Sequence, residues 1–140
     1  MTFQSFAARC LAVVMVGAAA IAAAGSTAYA EPITVEGKQF ASVSDYLIGE
    51  WKWERKEPRQ TMFMRFNRDG TFFYRIEAGK LEHTGRFTTS GDKIEVTVLR
   101  TCNPQCIDRN PPAVLPYPLV PQTLNFFRSA DEEWYRVTGQ

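Results

Sequence analysis

Residues 61–99 constrain the fold more than any other stretch. They read TMFMRFN, RDG, TFFYRIE, AGK, LEHTGRFTT, SGD and KIEVTVL, four runs of β-branched and aromatic residues separated by three glycine-bearing turn signals. Each connection is too short to hold a helix, so neighbouring strands must pair antiparallel, as a meander. Within the runs, Met62, Met64 and Phe66 share a face, as do Phe72, Tyr74 and Ile76; Leu81, His83, Gly85 and Phe87; and Ile94, Val96 and Val98. The opposite face is mixed, with Arg65, Arg75, Glu82, Arg86 and Glu95 beside Phe63 and Phe73. An antiparallel sheet wet on one side has this pattern.

The flanks extend the sheet. Ile33 to Val35 can form a short strand, and residues 42–48 one or two helical turns, with Ser42 and Asp45 at capping-box spacing. Gly49 breaks that helix, and Glu50 to Glu54 alternate cleanly, Trp51 and Trp53 on one side and the charges on the other. Two further strands are expected at 123–128, with Leu124 and Phe126 on one face, and at 133–138 after a Ser129–Glu132 turn. Between them, residues 101–121 carry six of the eight prolines. Proline cannot donate to a ladder, so this stretch predicts an irregular segment rather than a central strand. The count is seven strands, or eight with the N-terminal one. An open meander of that length leaves two edges exposed, and closure removes them. The expected fold is therefore all-β, a small antiparallel up-and-down β-barrel of 7–8 strands with a short N-terminal helical turn; a sandwich is the alternative.

Residues 1–30 are expected to lie outside that domain. Arg9 is the only charged side chain before Glu31, Cys10 to Ala24 are apolar, and Ala28-Tyr29-Ala30 closes the segment in an A-x-A pattern. This describes a secretory signal peptide, with a retained anchor as the other reading. The apolar run is shorter than the roughly 20 residues that span a bilayer. Cleavage leaves residues 31–140 as one domain, without a membrane span, in the periplasm or outside the cell. Sixteen basic residues face fifteen acidic ones, and Arg9 leaves with the leader. No basic block remains, so nucleic acid is not an expected partner.

Cys102 and Cys106 remain after processing, and in an exported chain an even count predicts a disulfide. Redox or metal chemistry is the alternative, but C-x-x-x-C is not the redox spacing and no second Cys or His pair accompanies it. His83 is the sole histidine. It could serve acid–base work or hold a ligand, or be a satisfied histidine of the barrel wall. No nucleophile elbow, HExxH or phosphate-binding glycine loop occurs. The expectation is a protein without cofactor or metal that is not an enzyme.

Leu47-Ile48-Gly49-Glu50-Trp51, with G-x-W on the first strand after a helical turn, resembles the opening motif of lipocalins and the wider calycin superfamily. Phe66-Asn67-Arg68-Asp69-Gly70-Thr71-Phe72, Thr84-Gly85-Arg86-Phe87 and Ser90-Gly91-Asp92 resemble bacterial lipocalin-like domains. The resemblance implies structural roles for Gly49 and Trp51, and a basic residue from the last strands packed across the indole. Arg128 is the matching candidate and Arg136 the second.

Met62, Met64, Phe66, Phe72, Tyr74, His83 and Phe87 are the candidate lining of a cavity for a small apolar ligand. The other reading, which the small size of the domain favours, is that they fill the barrel, although Gly85 on the inner face should leave space. Residues 101–121 could be a lid, a docking surface for a protein partner, or a crossover packed on the barrel end. Two functions follow: an exported binder of a small apolar molecule, or an interaction or inhibitor module acting through the disulfide and proline loop.

Overall fold

A computed structural model describes residues 30–77 and 80–138. The leader reading for residues 1–29 and the Ala78-Gly79 part of the second turn signal lie outside the described residues. β1 (Ile33–Val35) and β2 (Lys38–Phe40) form a hairpin of their own, of which the sequence reading had only the first strand. Glu36 and Gly37 at its turn take φ of 48° and 78°, the left-handed pair that a two-residue hairpin needs. α1 (Val43–Leu47) starts at Ser42, whose Oγ accepts the Asp45 N–H at 3.1 Å and donates to the Asp45 carboxylate at 3.2 Å.

β3 (Gly49–Arg55), β4 (Gln60–Phe66), β5 (Thr71–Ile76), β6 (Leu81–Ser90) and β7 (Lys93–Asn103) follow as the expected meander. Met64 lies opposite both Trp51 and Tyr74, Phe66 opposite Phe72, and Phe87 opposite Val96, so the side chains assigned to one face do share it. One irregularity matters for the curl. Thr84 pairs with Arg100 but Gly85 pairs with Val98, which leaves Leu99 as an extra residue on β7. Such a bulge bends the strand and sharpens its twist. A Cβ on Gly85 would stand 1.9 Å from the Thr97 carbonyl oxygen. Gly85 therefore leaves no empty volume, contrary to the expectation above; the β7 backbone occupies the space.

The largest correction concerns residues 101–121. β7 runs on to Asn103, the chain turns at Pro104, and β8 (Gln105–Pro118) returns along β7. Prolines are tolerated because β8 is an edge strand, which donates to a neighbour on one side only. Pro111 and Pro112 fall where Arg109 to Pro112 face the single Leu99 of β7. Beyond them Ala113, Leu115 and Tyr117 turn inward, and Val114 outward.

β9 (Val120–Thr123), β10 (Phe126–Ser129) and β11 (Glu132–Arg136) complete the chain. The single strand expected at 123–128 is divided by a Leu124-Asn125 turn. Phe127 is its fully buried residue, whereas Phe126 stacks on exposed Tyr135 at 5.0 Å. The sheet order is β8-β7-β6-β5-β4-β3-β11-β10-β9, nine antiparallel strands curled into a half-barrel. A closed barrel of seven or eight strands was expected. Instead β8 and β9 stand at the two ends of the ladder, joined covalently through Leu119. Leu119 is buried, and its N–H bonds to the Asp92 carbonyl at 2.6 Å. No helix among the described residues is long and apolar enough to cross a membrane.

Candidate ligand cavity at the open seam

One end of the half-barrel is built around Trp51. Its ring meets Tyr46 at 5.6 Å and Phe127 at 4.7 Å, and its indole N–H donates to the Leu47 carbonyl at 2.7 Å. Arg136 lies directly opposite Trp51 in the β3–β11 ladder, and its guanidinium sits 4.2 Å over the indole. Its nitrogens donate to the carbonyls of Tyr46 (2.7 Å), Ile48 (2.8 Å) and Leu124 (3.0 Å). Trp51 and Arg136 thus satisfy the carbonyls that α1 leaves unpaired at its C-terminus. Arg128, the first candidate for this role, is exposed and pairs with Glu133 at 2.8 Å. It lies on β10, where the inward residue is Phe127, so its own side chain must point out. Gly49 holds φ of +129°, and a Cβ there would meet Arg136 Nη1 at 2.9 Å. Burial drives the Tyr46 hydroxyl up to about 12, with Arg136 partly opposing the shift.

Beyond this end, a cavity of about 200 Å³ lies at the seam where β8 faces β10 and β11. Met62, Met64, Phe66, Phe72, Tyr74 and His83 line it, six of the seven sequence candidates. Phe87 does not; it is buried against Phe66 at 4.9 Å. The opposite wall was missed: Leu115 and Tyr117 from β8, Phe127 and Ser129 from β10, Glu132 and Trp134 from β11. The alternation of Ala113, Leu115 and Tyr117 was a readable signal, masked by the intervening prolines. Glu132 had been placed in a turn; it opens β11 instead, after Ala130 turns the chain with φ of 53°.

The polar groups are few. Tyr74 stacks on His83 at 5.6 Å and its hydroxyl donates to Met62 Sδ at 2.6 Å. Burial drives this hydroxyl up to about 12, and the charges of Glu132 and Tyr117 add to the shift. Burial, then Glu132, raises Tyr117 in the same direction. His83 Nδ1 is 2.9 Å from Thr101 Oγ1, which accepts from Arg109 Nε at 3.0 Å. Burial lowers the His83 pKa, and Arg109 lowers it further. Glu132 Oε2 accepts the Trp134 indole N–H at 3.1 Å. Among the described residues no cluster of three His, Cys, Asp or Glu side chains comes together.

Cys102 and Cys106 are bonded, with a sulfur–sulfur distance of 2.02 Å, as cross-strand partners at the tip of the β7–β8 hairpin. Outside the cavity, Ile107 (68%) and Val114 (53%) on β8 and Val120 (48%) at the start of β9 are exposed to solvent. No family model, no curated protein and no solved structure matches this chain.

Proposed function

We propose that this chain is an exported, lipocalin-like half-barrel that binds a small apolar molecule of about single-ring size in its seam cavity. The observation that carries the reading is the 200 Å³ of space among Met62, Met64, Phe72, Leu115, Phe127 and Trp134. An apolar cavity of about 150 Å³ already admits benzene, whereas drug-sized ligands need about 300 Å³ or more. The lipocalin-like assignment rests on Gly49, Trp51 and the Arg136 guanidinium over the indole, the arrangement that the G-x-W resemblance implies. Export rests on the leader pattern and on the disulfide, which persists in an oxidising compartment such as the periplasm or the exterior. Binding is favoured over catalysis because His83 is engaged by Thr101 and stacked on Tyr74.

The second reading, an interaction or inhibitor module, is favoured by the exposed apolar side chains of Ile107, Val114 and Val120 in the 101–121 segment. One experiment separates the two. Protein recovered from its own cell envelope is examined by native mass spectrometry. A small apolar adduct that Val96→Phe displaces supports the ligand; a second polypeptide lost on Val114→Asp supports the partner. A bare chain from the envelope, unable to take up toluene, would end the first reading.

A further inference from the structure

The seam cavity is not uniformly apolar. Its wall carries one carboxylate, Glu132, and its other titratable groups are two phenols and an imidazole that burial holds uncharged at neutral pH. None of the four ion pairs of the described residues involves Glu132. The carboxylate accepts one hydrogen bond, from the Trp134 indole to Oε2. Arg109, whose charge acts on His83, donates to Thr101 Oγ1 and does not line the cavity. The cavity therefore combines an apolar body with one negative end and no positive one.

Resting on the reading of this cavity as a ligand site, we infer that its ligand is a small amphiphilic amine: one ring or a short aliphatic body bearing a protonated nitrogen that pairs with Glu132. The chemistry discriminates by sign. An ammonium group gives Glu132 the partner it lacks, and its remaining N–H bonds can reach a phenol oxygen of Tyr74 or Tyr117. A carboxylate of the same shape would meet Glu132 as a like charge, with no cation in the wall to offset it. A neutral ring would fill the apolar part and leave Glu132 with only the Trp134 indole and water.

The test uses three probes of one shape: benzylamine, toluene and benzoate. Each is titrated against protein expressed from the full chain, with Trp134 fluorescence and the ring signals of the probe as readouts. Benzylamine should bind about tenfold more tightly than toluene, the low end of the coupling expected for a close charge pair, and benzoate not measurably. Glu132→Gln keeps an acceptor for the Trp134 indole. It should abolish the benzylamine advantage, read as the ratio of benzylamine to toluene affinity within the same variant. Equal binding of toluene and benzylamine, or an advantage that survives Glu132→Gln, overturns the amine inference while the cavity reading stands. Failure of all three probes to bind overturns both.

Discussion

Arg136→Met is the substitution that most directly tests how the Trp51 end of the half-barrel is held. Methionine keeps an unbranched apolar stem of similar reach, so the packing along Trp51 is largely retained. It removes the donors to the carbonyls of Tyr46, Ile48 and Leu124. It also removes the guanidinium over the indole. Hydrogen bonds from a charged donor contribute roughly 1.5–3 kcal/mol each, and the cation–π contact about 0.5–2 kcal/mol. The site is only half-buried, water can reach part of it, and the four terms share one side chain. The low ends of these ranges sum to about 5 kcal/mol, and because terms sharing one side chain are not additive, a loss of about 3–4 kcal/mol is expected. For a domain near 100 residues this lowers Tm by roughly 12–16 °C. Arg136→Lys should fall between, because a point charge cannot reach three carbonyls spread over two elements. Arg128→Met is the control, an exposed pair whose loss should cost less than about 1 kcal/mol. The assay is thermal and urea unfolding followed by near-ultraviolet circular dichroism, where the buried indole reports. Equal midpoints for Arg136→Met and Arg128→Met would refute the reasoning, since it requires the two arginines to be unequal.

Three further outcomes are expected from the same structure. Gly85→Ala must push the Thr97 carbonyl away from a Cβ placed 1.9 Å from it, so about 3 kcal/mol or more should be lost; Gly91→Ala, facing open space with φ of +58°, should lose only about 1–2 kcal/mol in chemical denaturation. Reducing Cys102–Cys106 opens a ring of five residues and should lower stability by about 2 kcal/mol, read as a shift of the urea midpoint with and without reductant. Stability should also decline as pH falls from 6.5 toward 5, because burial depresses the folded-state pKa of His83 below its ordinary 6.5. In that window the unfolded chain binds a proton that the folded chain refuses, so the contribution is complete above 6.5 and is lost below it. The depressed carboxylates Asp69, Asp108 and Glu133 act only below their ordinary values of 3.8 to 4.5, so a His83→Gln variant should flatten the curve between pH 5 and 6.5.

The meander and its inward face were legible because side-chain alternation is a local property. Met62, Met64 and Phe66 or Ile94, Val96 and Val98 need no knowledge of partners to be sorted. What failed to be legible depended on pairing between distant strands. Arg136 faces Trp51 because β11 docks on β3 in the register Arg136↔Trp51, and nothing in either segment announces that register. Arg128 was the nearer match by position, yet its parity with respect to Phe127 sends it to solvent. The cavity divides in the same way. Its β4–β6 wall was named except for Leu81, whereas Leu115, Tyr117, Glu132 and Trp134 reach it only because the chain brings the two ends of the sheet together.

The proline-rich strand shows why composition can point to the right constraint and the wrong structure. Proline does exclude a central position, and β8 is not central. It does not exclude an edge, where every second backbone N–H faces away from the sheet and has no ladder bond to lose. Four of the eight residues from 111 to 118 are proline, three of them (Pro112, Pro116 and Pro118) of one parity, which thins the donors of that half of the edge. Its carbonyls remain, but an incoming strand would find too few N–H groups to form a continuous ladder. Exposed Val114 sits in this blunted half. If a protein partner covers it, the contact must be made by side chains rather than by adding a tenth strand. A Pro116→Val, Pro118→Val variant, which restores two donors, should therefore self-associate at concentrations where the native chain stays monomeric in analytical ultracentrifugation. If the variant remains as dispersed as the native chain, the prolines are not what guards this edge, and strand addition at β8 becomes available to the partner reading after all.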